Sequence, residues 1–198
     1  MLYIASVRCV VSGRCDILCR CDELEAAFED LKVGSFGGLH NESIRKILVP
    51  VDGSDCSSEA IEYAVNLAAK HNSEICLVFI VPTSVWNYYL MTEDWSPVLV
   101  CTMRDMEEEG ERLLLSALTS VKEAGTDARA QLDYGRPAAK IVQIAKEESS
   151  DLIVIGRSGR GLIARLLFGS VCDEVASKAP CPVLIVKERQ QKSKYEEG

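Results

Sequence analysis

Histidine is nearly absent: His40 and His71 are the only two in 198 residues. His40 lies in an expected linker and His71 at an expected helix end, so imidazole acid–base or zinc chemistry has little to build on. No apolar run approaches the ~20 residues that a membrane-spanning helix needs. The first residues, Met1 to Arg8, show no basic leader followed by a long apolar stretch, and no signal peptide is expected. Positive charge is in deficit: 22 Lys and Arg against 30 Asp and Glu leave −8 at pH 7. That balance disfavours nucleic acid and anionic membrane as partners. A cytoplasmic protein is the expectation. Two nucleotide motifs are also missing. No G-x4-G-K-[ST] occurs, which excludes a P-loop NTPase. Gly156-x2-Gly159-x-Gly161 is not G-x-G-x-x-G and follows a late strand, which argues against a nicotinamide dinucleotide.

Cysteine, by contrast, is plentiful, with nine copies. The number is odd and the positions scattered, unlike a secreted disulfide framework. Cys9, Cys15, Cys19 and Cys21 are spaced C-x5-C-x3-C-x-C, with no C-x2-C pair, so neither zinc nor an iron–sulfur cluster is expected there. These four belong to an N-terminal extension and linker over residues 1–43. Within it, Leu2 to Val11 has strand character and Asp22 to Lys32 carries Leu24, Ala27, Phe28 and Leu31 at helical spacing. Gly34 to Gly38 reads as linker. The extension is expected to stand apart from the core and to be dispensable for its folding.

From Ile44 onward, strands and helices alternate. Lys46 to Asp52 is a short apolar strand. Gly53 turns the chain, and Ser54, Asp55 or Ser57 can cap a helix with Ala60, Ile61, Ala64, Val65 and Ala68 on one face. Asn72 is a left-handed stop. Glu74 to Val81 is a second strand. Thr83 to Thr102, with Trp86, Tyr88, Tyr89 and Trp95, is the least regular stretch. A helix is expected over Arg104–Ala124, a strand over Ala128–Tyr134, and a helix opened by Pro137 with Ile141, Ile144 and Ala145 inward. Leu152 to Ile155 is a continuous apolar strand ending at Gly156. A helix over Ser170–Lys178 and a strand over Val183–Lys187 complete the domain, 44–188, and a charged tail, 189–198, follows. Asp133 and Glu107 to Glu109 read as solvated surface.

This alternation predicts an α/β fold: an open five-stranded parallel sheet with helices on both faces. Ligands in such sheets sit at the carboxyl ends of the strands, where strand order reverses. Asp52, Pro82 and Gly156 all fall at such ends. The rim carries Gly156-x2-Gly159-x9-Gly169-Ser170. Glycines there allow close approach of backbone to phosphate, and a helix start supplies N–H groups.

With this spacing, together with Val49-Pro-Val-Asp-Gly-Ser54, Gly135-Arg-Pro137, Asp151 to Gly156 and Ala179 to Lys187, the chain resembles the ATP-binding branch of the universal stress protein family over about residues 44–188. The resemblance implies a Rossmann-like fold that holds ATP with Mg²⁺. It places Pro50 and Asp52 beside the adenosine, with Asp52 near the ribose or the metal. It places Ile80 and Ile155 at the adenine, partly through backbone. Gly156, Gly159, Gly169, Ser170 and Val171 would hold the phosphates, and Arg157 and Arg160 could add charge. A homodimer through Val183–Val186 is implied, because that apolar strand falls at a sheet edge; cover by residues 2–11 of the same chain is the alternative. Cys56, at a helix start near the site, is a candidate for an activated thiol, against the plainer role of a small turn residue. No base stands near the phosphates. The resulting function is a nucleotide-dependent stress-response regulator with at most slow ATP hydrolysis. An ATP-consuming enzyme, either an ATPase or an adenylating enzyme, is the second reading, and a structural dimer with an empty site the third. The turn Asp52 to Ser58 lacks the glycine pair of an adenylating loop.

Overall fold

The computed structural model describes residues 7–11, 14–19, 44–83, 97–157 and 171–186. Strand β1 is Val7–Val11, β2 Arg14–Cys19, β3 Lys46–Pro50, β4 Glu74–Pro82, β5 Ala128–Gly135, β6 Leu152–Gly156 and β7 Val183–Val186. Helix α1 is Asp55–His71, α2 Pro97–Glu123, α3 Pro137–Glu147 and α4 Val171–Lys178. All seven strands form one sheet in the order β2-β1-β7-β6-β3-β4-β5. The five strands β3 to β7 are parallel to one another, as expected. Strand order reverses between β3 and β6, so the crevice rule places a ligand outside their carboxyl ends.

Alternation along the strands sorts the core into two layers. Ile47, Val49, Val51, Leu77, Phe79 and Val154 join Ala60, Ala64, Leu114 and Val121 in the layer under α1 and α2. Leu48, Val78, Ile80, Ile153 and Ile155 join Ile141, Ile144 and Val175 in the layer under α3 and α4. With helices on both faces, β3, β4, β6 and β7 are buried on both sides, which is why each reads as a continuous apolar run, whereas the edge strand β5 is only partly buried.

Local signals hold at most element ends. Ser54 is the N-cap of α1, accepting from Ser57 N–H, and Asn72 ends the helix at φ 55°. Pro137 opens α3. Helix α2 begins at Pro97, inside the stretch read as irregular, because proline fixes φ for a first turn without needing an N–H partner. Residues 84–96, with all four aromatics of that stretch, lie outside the described residues, as does the expected helix over Asp22–Lys32.

The larger difference is at the sheet edge. Strand β1 pairs antiparallel with β7 in the register Val7↔Val186, Arg8↔Ile185, Cys9↔Leu184, Val10↔Val183. Strand β2 then pairs antiparallel with β1. The extension, expected to stand apart, thus adds two strands to the parallel five, and the edge assigned to a second copy is taken by the same chain. Several side chains read as solvated have partners. Tyr134 hydroxyl donates to Glu107, Arg104 pairs with Glu108, Arg112 with Glu109, and Lys140 with Asp133 at 3.2 Å. No helix among the described residues is long and apolar enough to cross a membrane.

Candidate functional site

The site is built on the turn after β3. Gly53 takes φ +76°, a left-handed conformation that other residues rarely adopt. That turn brings the Ser54 N–H (3.0 Å) and hydroxyl (2.6 Å) back onto Asp52 Oδ1. Ser54 Oγ in turn accepts from Ser57 N–H at 3.1 Å, so one buried hydroxyl ties the carboxylate to the first turn of α1. Both bonds to Asp52 fall on Oδ1, and its Oδ2 has no partner among the described residues. A half-exposed, pre-oriented carboxylate oxygen is suited to a ribose hydroxyl or a hard cation.

Across the switch point, Gly156 ends β6. An added Cβ there would lie 2.6 Å from Cys56 C, 2.7 Å from Cys56 O and 2.8 Å from Ser57 N. Gly156 therefore faces the backbone of α1. Its missing side chain lets strand and helix close together, and this holds the two halves of the rim in fixed relation. Its carbonyl accepts from Cys172 Sγ at 2.9 Å, which ties the start of α4 to the same point. Arg157 N–H donates to Val186 O at 2.6 Å while its side chain is exposed at the rim. Burial pushes the Cys172 thiol up to about 12, with Asp173 and Asp52 adding to the rise and Arg157 opposing it. That thiol stays protonated and acts as a donor. Cys56 is buried at 3% exposure, against the accessibility that an activated thiol requires.

The two isoleucines are placed differently from one another. Both side chains are buried under α3 and α4. The β3–β4 ladder ends at Pro50↔Val78, and Val51 N–H donates to Val78 O at 2.8 Å. Two residues on, the backbone groups of Ile80 face the same side, where β3 has already turned away. Ile153 N–H and Arg157 N–H both donate towards the β7 side, so Ile155, midway between them, turns its backbone to β7 as well. Ile80 thus offers main-chain groups to the crevice, while Ile155 offers packing. Val171 is the first residue of α4. Gly159, Arg160, Gly169 and Ser170 lie outside the described residues. Among the described residues no group of three or more His, Cys, Asp or Glu could hold a metal ion.

The sequence model of the universal stress protein family matches residues 43–187. The chain belongs to the universal stress protein family. It is 34% identical over 143 residues to the universal stress protein MJ0531 of Methanocaldococcus jannaschii, covering 72% of this chain and 82% of that protein. Among solved structures, the universal stress protein UspA of Lactobacillus plantarum superposes with a TM-score of 0.58 at 27% identity, over 74% of this chain and 99% of that one. A universal stress protein in complex with cAMP superposes with a TM-score of 0.53 at 26% identity, over 74% of this chain and 98% of the other.

Sequence reading missed two features of the universal stress protein site. The Cys172 contact with Gly156 joins residues far apart in sequence, and nothing local signals it. The relay from Asp52 through Ser54 to Ser57 was legible only as a choice of caps.

Proposed function

We propose that this universal stress protein holds ATP with Mg²⁺ in the crevice between the ends of β3 and β6 and acts as a cytoplasmic, nucleotide-dependent stress-response regulator. The observation that carries this reading is the fixed relation of Asp52 and Gly156 across the switch point, made by the packing of Gly156 on the first turn of α1. Asp52 Oδ2 supplies the oxygen that a ribose hydroxyl or a nucleotide-bound Mg²⁺ would take. Pro50 borders the adenosine, and Ile80 presents main-chain donor and acceptor to the adenine edge. Gly159, Gly169, Ser170 and Val171 hold the phosphates, and Arg157 and Arg160 add charge. The relative in complex with cAMP supports an adenine nucleotide as the ligand class. In this reading hydrolysis is at most slow.

Nucleotide released by denaturing the purified protein and identified by mass spectrometry tests the ligand. Titration calorimetry tests the residues. Gly159→Val and Gly169→Val should abolish the heat of ATP binding. Ser170→Ala should weaken it by about 1 kcal/mol, and His71→Ala should leave it unchanged. Absence of heat with ATP, ADP and AMP, in a protein that carries no nucleotide, overturns the reading.

A further inference from the structure

We propose that the N-terminal hairpin, β1 and β2, competes in cis for the edge of β7 on which a second copy of this chain would otherwise pair, and so holds the chain monomeric. All four residues of β7 are matched by β1, from Val183↔Val10 to Val186↔Val7. The cover is therefore complete, with no free backbone left on that strand for a partner. The direction is also informative. Strand β1 runs antiparallel to β7 although every other neighbour in the core is parallel. A two-fold axis makes a strand pair antiparallel with its own copy. Strand β1 thus takes the place and the polarity that a symmetry-related β7 would take.

Composition fits the same role. Uncovered, Val183 to Val186 is a four-residue apolar edge buried at 5% exposure or less in the folded chain, and such an edge invites pairing. Strand β1 places Val7 and Val10 opposite Val186 and Val183. The new outer edge, β2, carries Arg14 and Asp16 within Arg14–Cys19, and charge on an edge strand discourages further addition. The family match begins at residue 43, so the hairpin lies outside the part shared with the relatives.

The test uses the full chain. Light scattering should give the mass of one chain from micromolar to several hundred micromolar, with residues 7–11 and 183–186 protected from hydrogen exchange together. A variant with Cys9→Pro and Val10→Pro removes two adjacent N–H groups, so that whichever one faces β7 is lost. It should have twice the mass, with residues 7–11 exchanging freely and 183–186 still protected. Two results overturn the proposal. One is a wild-type dimer that keeps residues 7–11 protected, which requires no variant. The other is a variant that remains monomeric while residues 7–11 exchange freely.

Discussion

Gly156 and Cys56 stand so close that a Cβ on the glycine would lie 2.6 Å from the backbone carbonyl carbon of the cysteine. Main chain cannot yield as a flexible side chain can. Gly156→Ala should therefore lower stability by about 1–3 kcal/mol, the usual range for overpacking. At this chain length that is a drop in melting temperature of about 2–4 °C per kcal/mol. The measurement is thermal unfolding beside Gly159→Val. Gly159→Val should lose nucleotide with little loss of stability, whereas Gly156→Ala should lose stability. Equal melting temperatures for Gly156→Ala and wild type would mean that the strand and helix can part without cost.

The same strand-to-helix closeness recurs under α2. A Cβ on Gly110 would lie 2.4 Å from Phe79 Cδ1 and 2.6 Å from its Cε1. Phe79 is 2% exposed and walled by its layer, so its ring has little room to swing. Gly110→Ala should destabilise by on the order of 1–3 kcal/mol, despite the higher helix propensity of alanine. Phe79→Leu should destabilise too, but the double variant should be less damaged than the sum of the two. Chemical denaturation of the four proteins measures that coupling, and simple additivity would show that the two residues do not share space.

These two glycines show what was legible and what was not. Gly156 was readable as a strand-ending glycine on the motif, with its backbone assigned to phosphate. That the side where a Cβ would stand is filled by α1 was not readable. Gly110, within a run of Glu and Arg, gave no sign of its aromatic partner, since the contact spans two elements. Four of the five parallel strands were legible because burial on both faces leaves an unbroken apolar run, as in Leu152 to Ile155. The partner of Val7–Val11 was legible only as the alternative to a second copy, because strand character is local whereas pairing is chosen across the whole fold. Ile80 and Ile155 looked alike in sequence; ladder position alone separates them.

Three buried or part-buried thiols tie stability to alkaline pH. Burial raises Cys172 and Cys181 from 9.0 to about 12, and Cys76 in the same direction. In the unfolded chain these thiols ionise from about 9, while in the folded chain they hold their protons. Stability from this source is complete below pH 9 and is lost as pH rises towards 12. For Cys172 the slope is on the order of 1 kcal/mol per pH unit. Cys172→Ala should be less stable than wild type at pH 7, having lost the bond to Gly156 O, but should show a shallower fall in melting temperature between pH 9 and 11. Parallel curves for the two proteins would contradict the assignment. Alkylation at pH 8 gives a second reading: Cys101, exposed on α2, should label before Cys56, Cys76 and Cys172.

Two aspartates at opposite ends of the sheet should separate binding from folding. Asp151 Oδ2 accepts from Arg45 N–H at 2.8 Å and Lys46 N–H at 2.9 Å, pinning the start of β3 to the start of β6, away from the rim. Asp151→Ala removes the acceptor of both bonds and should cost on the order of 1–3 kcal/mol of stability, with nucleotide affinity unchanged in the folded fraction. Asp52 is the converse. Asp52→Asn keeps an oxygen for Ser54 N–H, so the turn and the α1 cap should hold and the stability should stay within about 0.5 kcal/mol of wild type. What it removes is the charge on Oδ2. Mg²⁺-dependent ATP affinity should fall about tenfold, or ~1.4 kcal/mol, while binding without Mg²⁺ should fall less. Ser54→Ala is the needed contrast, since it strips the cap itself and should cost about 0.5–2 kcal/mol of stability. Calorimetric titration with and without Mg²⁺, together with thermal unfolding of all three variants, measures both axes. An Asp52→Asn protein that melts like Ser54→Ala would make Asp52 a residue of the turn alone, and equal loss with and without Mg²⁺ would assign its carboxylate to the ribose.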